Sequence, residues 1–374
     1  MKIFHIADLH LGKRVNEVSM IDEQSYILDE IVQYIDKEKP KALIIAGDIY
    51  DRAIPSAESV KLFDMFLNNI NKLDLKVYII TGNHDSKERL SFASSILKNQ
   101  GFYIESDYKQ EVFMDQIEDV NLYMIPFIKP QDVRPYYEDE TIETYQEAFE
   151  KVMNTIELDD EKLNICVAHQ FVTHQNTSPT LSDSESLNIG GLDNIDTSLF
   201  EGFDYVALGH IHRPQRIGRD TIRYAGSILK YSQSEVHHKK SITVLDIEEK
   251  NIKISTLPLI PEKDMVHYEG YLEEILQGEY DNLEDYVYIT LLDEDEMVDA
   301  LGRLRKKFPN LLNIGFKNQR VAFDNTESLS YEALDKMNPL DLFDTFYEKQ
   351  NNKPLTDTQK EQVKILMEAL DETH

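Results

Sequence analysis

Among 374 residues there is a single cysteine, Cys166. No intrachain disulfide can staple the fold, and no thiolate cluster can close a structural zinc site. Cys166 lies in the apolar run LNICVA, where a buried, inert thiol is expected. No apolar run approaches the roughly 18 residues that a membrane span needs, so no membrane partner is expected. The opening MKIFHIADLH has polar and charged side chains and lacks the apolar stretch and small-residue cleavage site of a secretory signal. A soluble protein of the cytoplasm is therefore expected. Positive charge is scarce: 39 Lys and Arg stand against 69 Asp and Glu, a formal net charge of -30. Nucleic-acid binding ordinarily rests on a basic face, so this balance argues against tight binding to DNA by the chain alone. Net charge does not fix the field inside one cleft, where bound divalent cations supply positive charge locally. Neither an internal repeat nor a low-complexity segment is present.

What is there reads as a large domain followed by smaller ones. Short, β-branched apolar runs recur as IFHIA at 3–7, ALIIA at 42–46, VYII at 77–80, LYMI at 122–125, ICVA at 165–168 and YVAL at 205–208. They predict buried strands. The stretches EQSYILDEIVQYIDKEK, AESVKLFDMFLNNINK and SKERLSFASSILKN between them space their apolar residues as helices do, so the region is α/β. After His212 the pattern turns to hairpins, with KSITVLDIEE and NIKISTLPL pairing around Lys250 and Asn251. From about 285 to 318, YVYITLL, DEMVDALGRLRKK and LLNIGFK predict a small strand-helix-strand unit. The tail from Asn338 holds two amphipathic helical stretches split by NNKP. Leu340, Phe343 and Tyr347 form one stripe. Val363, Leu366, Met367 and Leu370 form the other, behind a capping box at Thr358 and Glu361.

Five of the predicted strands end at residues that ligate metals: Asp8-Leu9-His10, Gly47-Asp48, Gly82-Asn83-His84, His169, and Gly209-His210-Ile211-His212. In open α/β sheets ligands sit beyond the carboxyl ends of the strands, so these distant residues are expected to meet on one rim. Imidazoles, two carboxylates and an amide oxygen suit Mn²⁺, Fe²⁺ or Zn²⁺ in an open catalytic site. Taken singly, His169 or the Asp8/His10 pair would be read as structural, and only their joint pattern reverses that reading. Asp85 reads as a helix N-cap. His5, His174, His237 and His238 read as packing or surface histidines, and Gly47, Gly82 and Gly209 as residues that permit tight turns beside the metals.

In this order, Asp-x-His, Gly-Asp-x-x-Asp, Gly-Asn-His-Asp, a lone His and Gly-His-x-His resemble the calcineurin-like metallophosphoesterases. The resemblance implies a sandwich of two mixed β-sheets flanked by helices. It assigns one metal to Asp8, His10, Asp48 and His212 and a second to Asp48, Asn83, His169 and His210, with Asp48 bridging. It leaves His84 unligated near the scissile phosphate, oriented by Asp51. Two dications offset by two ligand carboxylates would leave a formal charge of about +2, drawing in a phosphodiester. They would activate water and clamp the phosphate oxygens, while His84 gives a proton or hydrogen bond to the leaving oxygen.

Beyond this shared core, DLHLGK, GDIYDRAIPS, GNHDS, AHQF, LGHIHRPQ and YAGSI are similar to the nuclease subunits of bacterial SbcCD complexes and their archaeal and eukaryotic double-strand-break relatives. That likeness covers about 1–260. It implies a nuclease domain at 1–265, a small α/β capping domain at 266–325 that orients DNA, and a helical partner-binding segment at 326–374. It further implies a metal-dependent exonuclease and endonuclease, loaded with Mn²⁺, acting in DNA repair, recombination and replication. Its partners would be DNA and an SbcC-type coiled-coil ATPase, with two copies of each subunit. The chain has no G-x-x-x-x-G-K-[ST] loop, so ATP dependence must come from that partner. Family nuclease subunits form dimers through helices that here fall around Val60, Leu62, Phe63, Phe66 and Leu67 and around Leu90, Phe92, Ile96 and Leu97, stretches that alternatively cover the sheet. The alternative function is a small-molecule or cyclic-nucleotide phosphodiesterase of the same superfamily. A catalytically silent regulator of the ATPase is disfavoured because no expected metal ligand is missing.

Overall fold

The structure is a computed structural model that describes residues 1–137, 141–175, 177–185, 194–293 and 299–317, and 343, 347, 354–356 and 359–364 of the tail. It divides into two compact units, Met1–Val266 and His267–His374. Elements are numbered in chain order.

Two six-stranded mixed sheets build the first unit. One is ordered β16 (Asn251–Pro258), β15 (Ser241–Glu248), β1 (Lys2–Ile6), β4 (Ala42–Ala46), β5 (Lys76–Ile80), β6 (Phe102–Glu105). The other is ordered β13 (Gln215–Ile217), β14 (Arg219–Tyr224), β12 (Tyr205–Gly209), β9 (Leu163–His169), β8 (Val120–Ile125), β7 (Phe113–Ile117). Strands β1, β4, β5 and β6 run parallel, and β15 closes against β1 antiparallel with Lys2 opposite Asp246. In the second sheet β8, β9, β12 and β14 are parallel and β7 and β13 are antiparallel edges. Two short pairs, β2 (Arg14–Val15) with β3 (Val18–Ser19) and β10 (Phe171–Thr173) with β11 (Asn194–Asp196), sit outside them.

The side-chain period of two explains how the sheets stack. In β9, Ile165 and Val167 point between the sheets, where they join Ile44, Ala46, Tyr78 and Ile80 of the first sheet. Cys166 and Ala168 point the other way, toward Ala148, Phe149 and Val152 of α6 (Tyr145–Met153). All seven β9 residues are buried for this reason. The helices α1 (Ile21–Glu38) and α2 (Ala57–Ile70) bury Ile27, Leu28, Ile31 and Ile35, and Leu62, Phe63, Phe66 and Ile70, each a stripe at helical spacing. Each such side chain contributes about 1.5–3 kcal/mol by leaving water.

Of the two stretches tied to dimerisation by resemblance, Leu62, Phe63, Phe66 and Leu90 are thus buried within the chain itself, whereas Val60, Phe92 and Ile96 are exposed, Phe92 to 81%. In the second unit β17 (Met265–Gly270), β18 (Tyr286–Leu291) and β19 (Leu311–Phe316) form a three-stranded sheet with α7 (Leu272–Gln277) and α8 (Ala300–Lys307). The expected strand-helix-strand pattern contains two of these strands and one of the helices. β17 escapes it because MVHYEG buries only its two ends and shows no alternation. Leu340, Thr358, Leu366, Met367 and Leu370 of the tail stripes lie outside the described residues. No described helix is long and apolar enough to cross a membrane.

Candidate metal centre

The parallel strands β1, β4 and β5 deliver Asp8, His10, Asp48, Asn83 and His84 to one edge of the first sheet, and β9 and β12 deliver His169, His210 and His212 to the facing edge of the second. Beyond the strand ends the loops stay zipped: Asp8 N donates to Gly47 O at 3.1 Å, His10 N to Asp48 O at 3.0 Å and Leu11 N to Ile49 O at 2.9 Å. This lattice holds Asp8, His10, Asp48 and His210 at φ of 53°, 45°, 50° and 97°. Such left-handed conformations cost about 1–3 kcal/mol each for residues with a side chain and persist where the surroundings over-determine them. Gln24 of α1 adds to the hold. Its amide accepts from Gly12 N at 2.9 Å and donates to His10 O at 2.8 Å and the Tyr231 hydroxyl at 3.0 Å, and that hydroxyl donates to Leu9 O at 2.6 Å.

Two glycines are required by proximity and not by turn geometry. A methyl group at Gly82 would collide with the Asp48 carboxylate, and one at Gly209 with the Ala46 carbonyl, although neither glycine is in the left-handed region.

The donor atoms converge. Asp48 Oδ2 lies 3.4 Å from His169 Nε2 and 3.6 Å from His10 Nε2. His10 Nε2 faces His212 Nε2 at 3.0 Å, and Asn83 Oδ1 faces His169 Nε2 at 3.0 Å and His210 Nδ1 at 2.9 Å. Asp8, His10 and His212 bring one ligand atom each within 4.8 Å of one another, and so do Asp8, Asp48 and His169. His169 Nδ1 donates to the Ala46 carbonyl at 2.8 Å, so a neutral ring presents its Nε2 lone pair to the Asn83 and Asp48 oxygens. Three acceptors then point at one volume, an arrangement that is stable only around positive charge. As protein charges alone, a proton supplies it: burial lowers His169, but Asp48 and Asp8 outweigh burial and hold its pKa at about 9. Burial raises Asp8 to about 6, and burial followed by the His169 charge lowers His210 to about 3. The donor set therefore fits divalent cations.

Comparison with known proteins agrees with the geometry. Residues 1–214 match the calcineurin-like phosphoesterase family, and residues 261–351 match the type 5 capsule protein repressor C-terminal domain. The SbcD component of the nuclease SbcCD from Staphylococcus epidermidis is 34% identical over 374 residues, covering 98% of this chain and 98% of that protein. The chain belongs to the calcineurin-like phosphoesterases, in their SbcD branch. Among solved structures, a dimetal phosphatase from Danio rerio aligns at 10% identity and TM-score 0.39, over 70% of this chain and 96% of that one. The phosphoesterase Yfce from E. coli aligns at 13% and 0.29, over 70% and 100%. At scores this low the sandwich is read from its own strand order.

As a phosphoesterase of this family, the chain hydrolyses phosphate esters and uses divalent metal. Its half-buried His84 has Nδ1 2.9 Å from the main-chain carbonyl of Asp51, which makes that nitrogen the donor and leaves Nε2 without a proton on the neutral ring. The contact of Asp51 with this imidazole thus runs through its main chain. Its carboxylate is engaged by Lys13 at 2.9 Å and Arg52 at 3.6 Å. The expectation that Asp85 is an N-cap is corrected. Ser86 caps α3 (Lys87–Leu90), while the Asp85 carboxylate accepts from Gly82 N, Ile49 N and Tyr50 N at 2.9–3.1 Å and so ties two ligand loops together. Burial and the neighbouring Asp48 charge raise its pKa to about 6. Sequence reasoning missed Gln24, Ser184, Glu185, Tyr231, Glu235 and Lys240, which surround the ligands without belonging to any motif. No local signal pointed to them: Glu235 and Lys240 follow His212 by 23 and 28 residues.

Proposed function

We propose that this chain is the metal-dependent nuclease subunit of an SbcCD-type complex, cleaving phosphodiester bonds of DNA ends and hairpins in repair, recombination and replication. The observation that carries this reading is the meeting of seven donor side chains from five strand ends in a chain similar along its length to a nuclease component. Asp8, His10, Asp48 and His212 hold one ion, and Asp48, Asn83, His169 and His210 the other. The position of Asp48 Oδ2 between His169 and His10 supports its role as bridge. Two bound dications, best supplied as Mn²⁺, would activate water and neutralise charge developing on the phosphate. His84, anchored through Nδ1, offers Nε2 to the leaving oxygen and carries the proton there when protonated. Asp51 fixes that imidazole through its carbonyl.

The acidic chain does not grip duplex DNA by itself; an SbcC-type coiled-coil ATPase supplies most of that grip and all ATP dependence. The nuclease domain spans 1–265, the unit at 266–325 caps it, and 326–374 docks the ATPase. Two copies pair through a surface that includes Val60, Phe92 and Ile96, which are apolar and exposed. End-labelled linear, hairpin and single-stranded DNA incubated with the chain and Mn²⁺, then with chelator, tests the reading. Chelator-sensitive cleavage is expected. Inertness toward all three together with hydrolysis of cyclic dinucleotides would replace it with the small-molecule alternative.

A further inference from the structure

The back of His212 is held by a buried chain of polar groups that metal ligation alone does not require. His212 Nδ1 lies 2.6 Å from Ser184 Oγ, and Ser184 Oγ in turn donates to Glu235 Oε1. Glu235 is completely buried and accepts from Lys240 Nζ at 2.6 Å and from Ser232 Oγ at 3.0 Å. Lys240, also buried, donates further to His212 O at 2.8 Å and Ser227 Oγ at 2.7 Å. The neighbouring Glu185 accepts from His212 N at 2.5 Å, and Asp183 N is tied to Ser234 Oγ at 2.9 Å.

Proton counting fixes the direction of this chain. A carboxylate paired with an ammonium has only lone pairs to offer, and a hydroxyl has one proton. Ser184 gives that proton to Glu235, so its own lone pair must be met by a proton on His212 Nδ1. A neutral His212 then carries its lone pair on Nε2, the atom that faces His10 Nε2. The reverse tautomer would turn a proton toward the ligand cluster and leave Ser184 facing a bare nitrogen.

We propose that Ser184, backed by Glu235 and Lys240, is a positioning residue that holds His212 in its Nδ1-protonated tautomer and thereby sets the affinity of one of the two metal positions. This rests on His212 being a ligand. Removing a group that orients a ligating histidine typically lowers metal affinity about 10- to 100-fold.

The test uses the full chain with ¹⁵N-labelled histidine, His212 being identified by its loss in His212→Gln. In chelator-treated wild type, His212 is expected to show a protonated Nδ1 and an unprotonated Nε2. Ser184→Ala, checked for folding by thermal melting, should lose that preference, and calorimetric titration with Mn²⁺ should show at least tenfold weaker binding at one site with the other unchanged. Ser184→Thr, which keeps the hydroxyl, should restore both. A wild-type chain with the proton on Nε2 overturns the proposal whatever the variants do, as does a Ser184→Ala chain that binds both ions with unchanged affinity. Wild type that binds no Mn²⁺ overturns the ligand reading and the affinity consequence with it. The tautomer, read without metal, keeps those two failures apart.

Discussion

Asp48 combines contacts that no neutral side chain reproduces: one carboxylate oxygen between His169 and His10 and the other accepting from His84 N. Asp48→Asn is therefore expected to weaken both metal positions, and calorimetry finding two intact sites would remove it as the bridge. His84→Ala should behave differently, retaining both ions while losing about 100- to 10,000-fold in cleavage rate; a loss below about tenfold would leave the proton transfer to water. Gly82→Ala should lower both stability and metal binding, because the added methyl meets the Asp48 main-chain nitrogen as well as its carboxylate. Titration with Mn²⁺ beside a thermal melt separates the two effects. At this scale the convergence of these seven side chains was legible from sequence, since each follows an apolar strand. The groups that orient them were not legible. Gln24 and Ser184 reach His10 and His212 across 14 and 28 residues of sequence, and no local pattern encodes such contacts.

Among the elements, α1 contributes more than cover for the sheet. Its fully buried Gln24 answers Gly12 N, His10 O and Tyr231 at once, so Gln24→Leu strands several buried polar groups. A loss of about 1–3 kcal/mol in unfolding free energy is expected from each group left unsatisfied, together with weaker Mn²⁺ binding. Denaturant titration with Asp36→Asn on the same helix as control, which should move stability by no more than about 0.5 kcal/mol, checks this. The central strands were easy to read because parallel strands buried on both faces are continuously apolar, as ALIIA is in β4. Edge strands such as β7, with burial alternating only weakly along FMDQI, and β17 carry too little signal. For the tail, truncation after Lys336 is expected to preserve Mn²⁺-dependent cleavage of single-stranded DNA and abolish co-purification with the coiled-coil ATPase. Unchanged ATPase binding would sink the docking role.

For the whole molecule the decisive quantity is a net charge of -30 surrounding a cluster that favours cations. Mn²⁺ that binds the folded chain alone should raise its melting temperature, by the equivalent of about 2.7 kcal/mol at a hundredfold excess over the dissociation constant. Differential scanning calorimetry with and without chelator measures it. Affinity for DNA should be weak without the partner and should fall further as salt rises; tight salt-insensitive binding by fluorescence anisotropy would contradict that picture.

The placement of β1 between β4 and β15 also governs how the chain is made. Lys2 pairs with Asp246 and Phe4 with Val244, so β1 waits for one of its neighbours while about 240 further residues are translated. At 5–20 residues per second that wait is roughly 12–50 s. During it, the apolar KIFHI edge has only β4 beside it and is a natural client for a chaperone. The ligand cluster is assembled on the same schedule, because His210 and His212 enter late and His210 N must find Asp8. Nascent chains stalled before about residue 250 should therefore remain protease-sensitive with Mn²⁺ present, and release of a few dozen further residues should convert them abruptly to resistance.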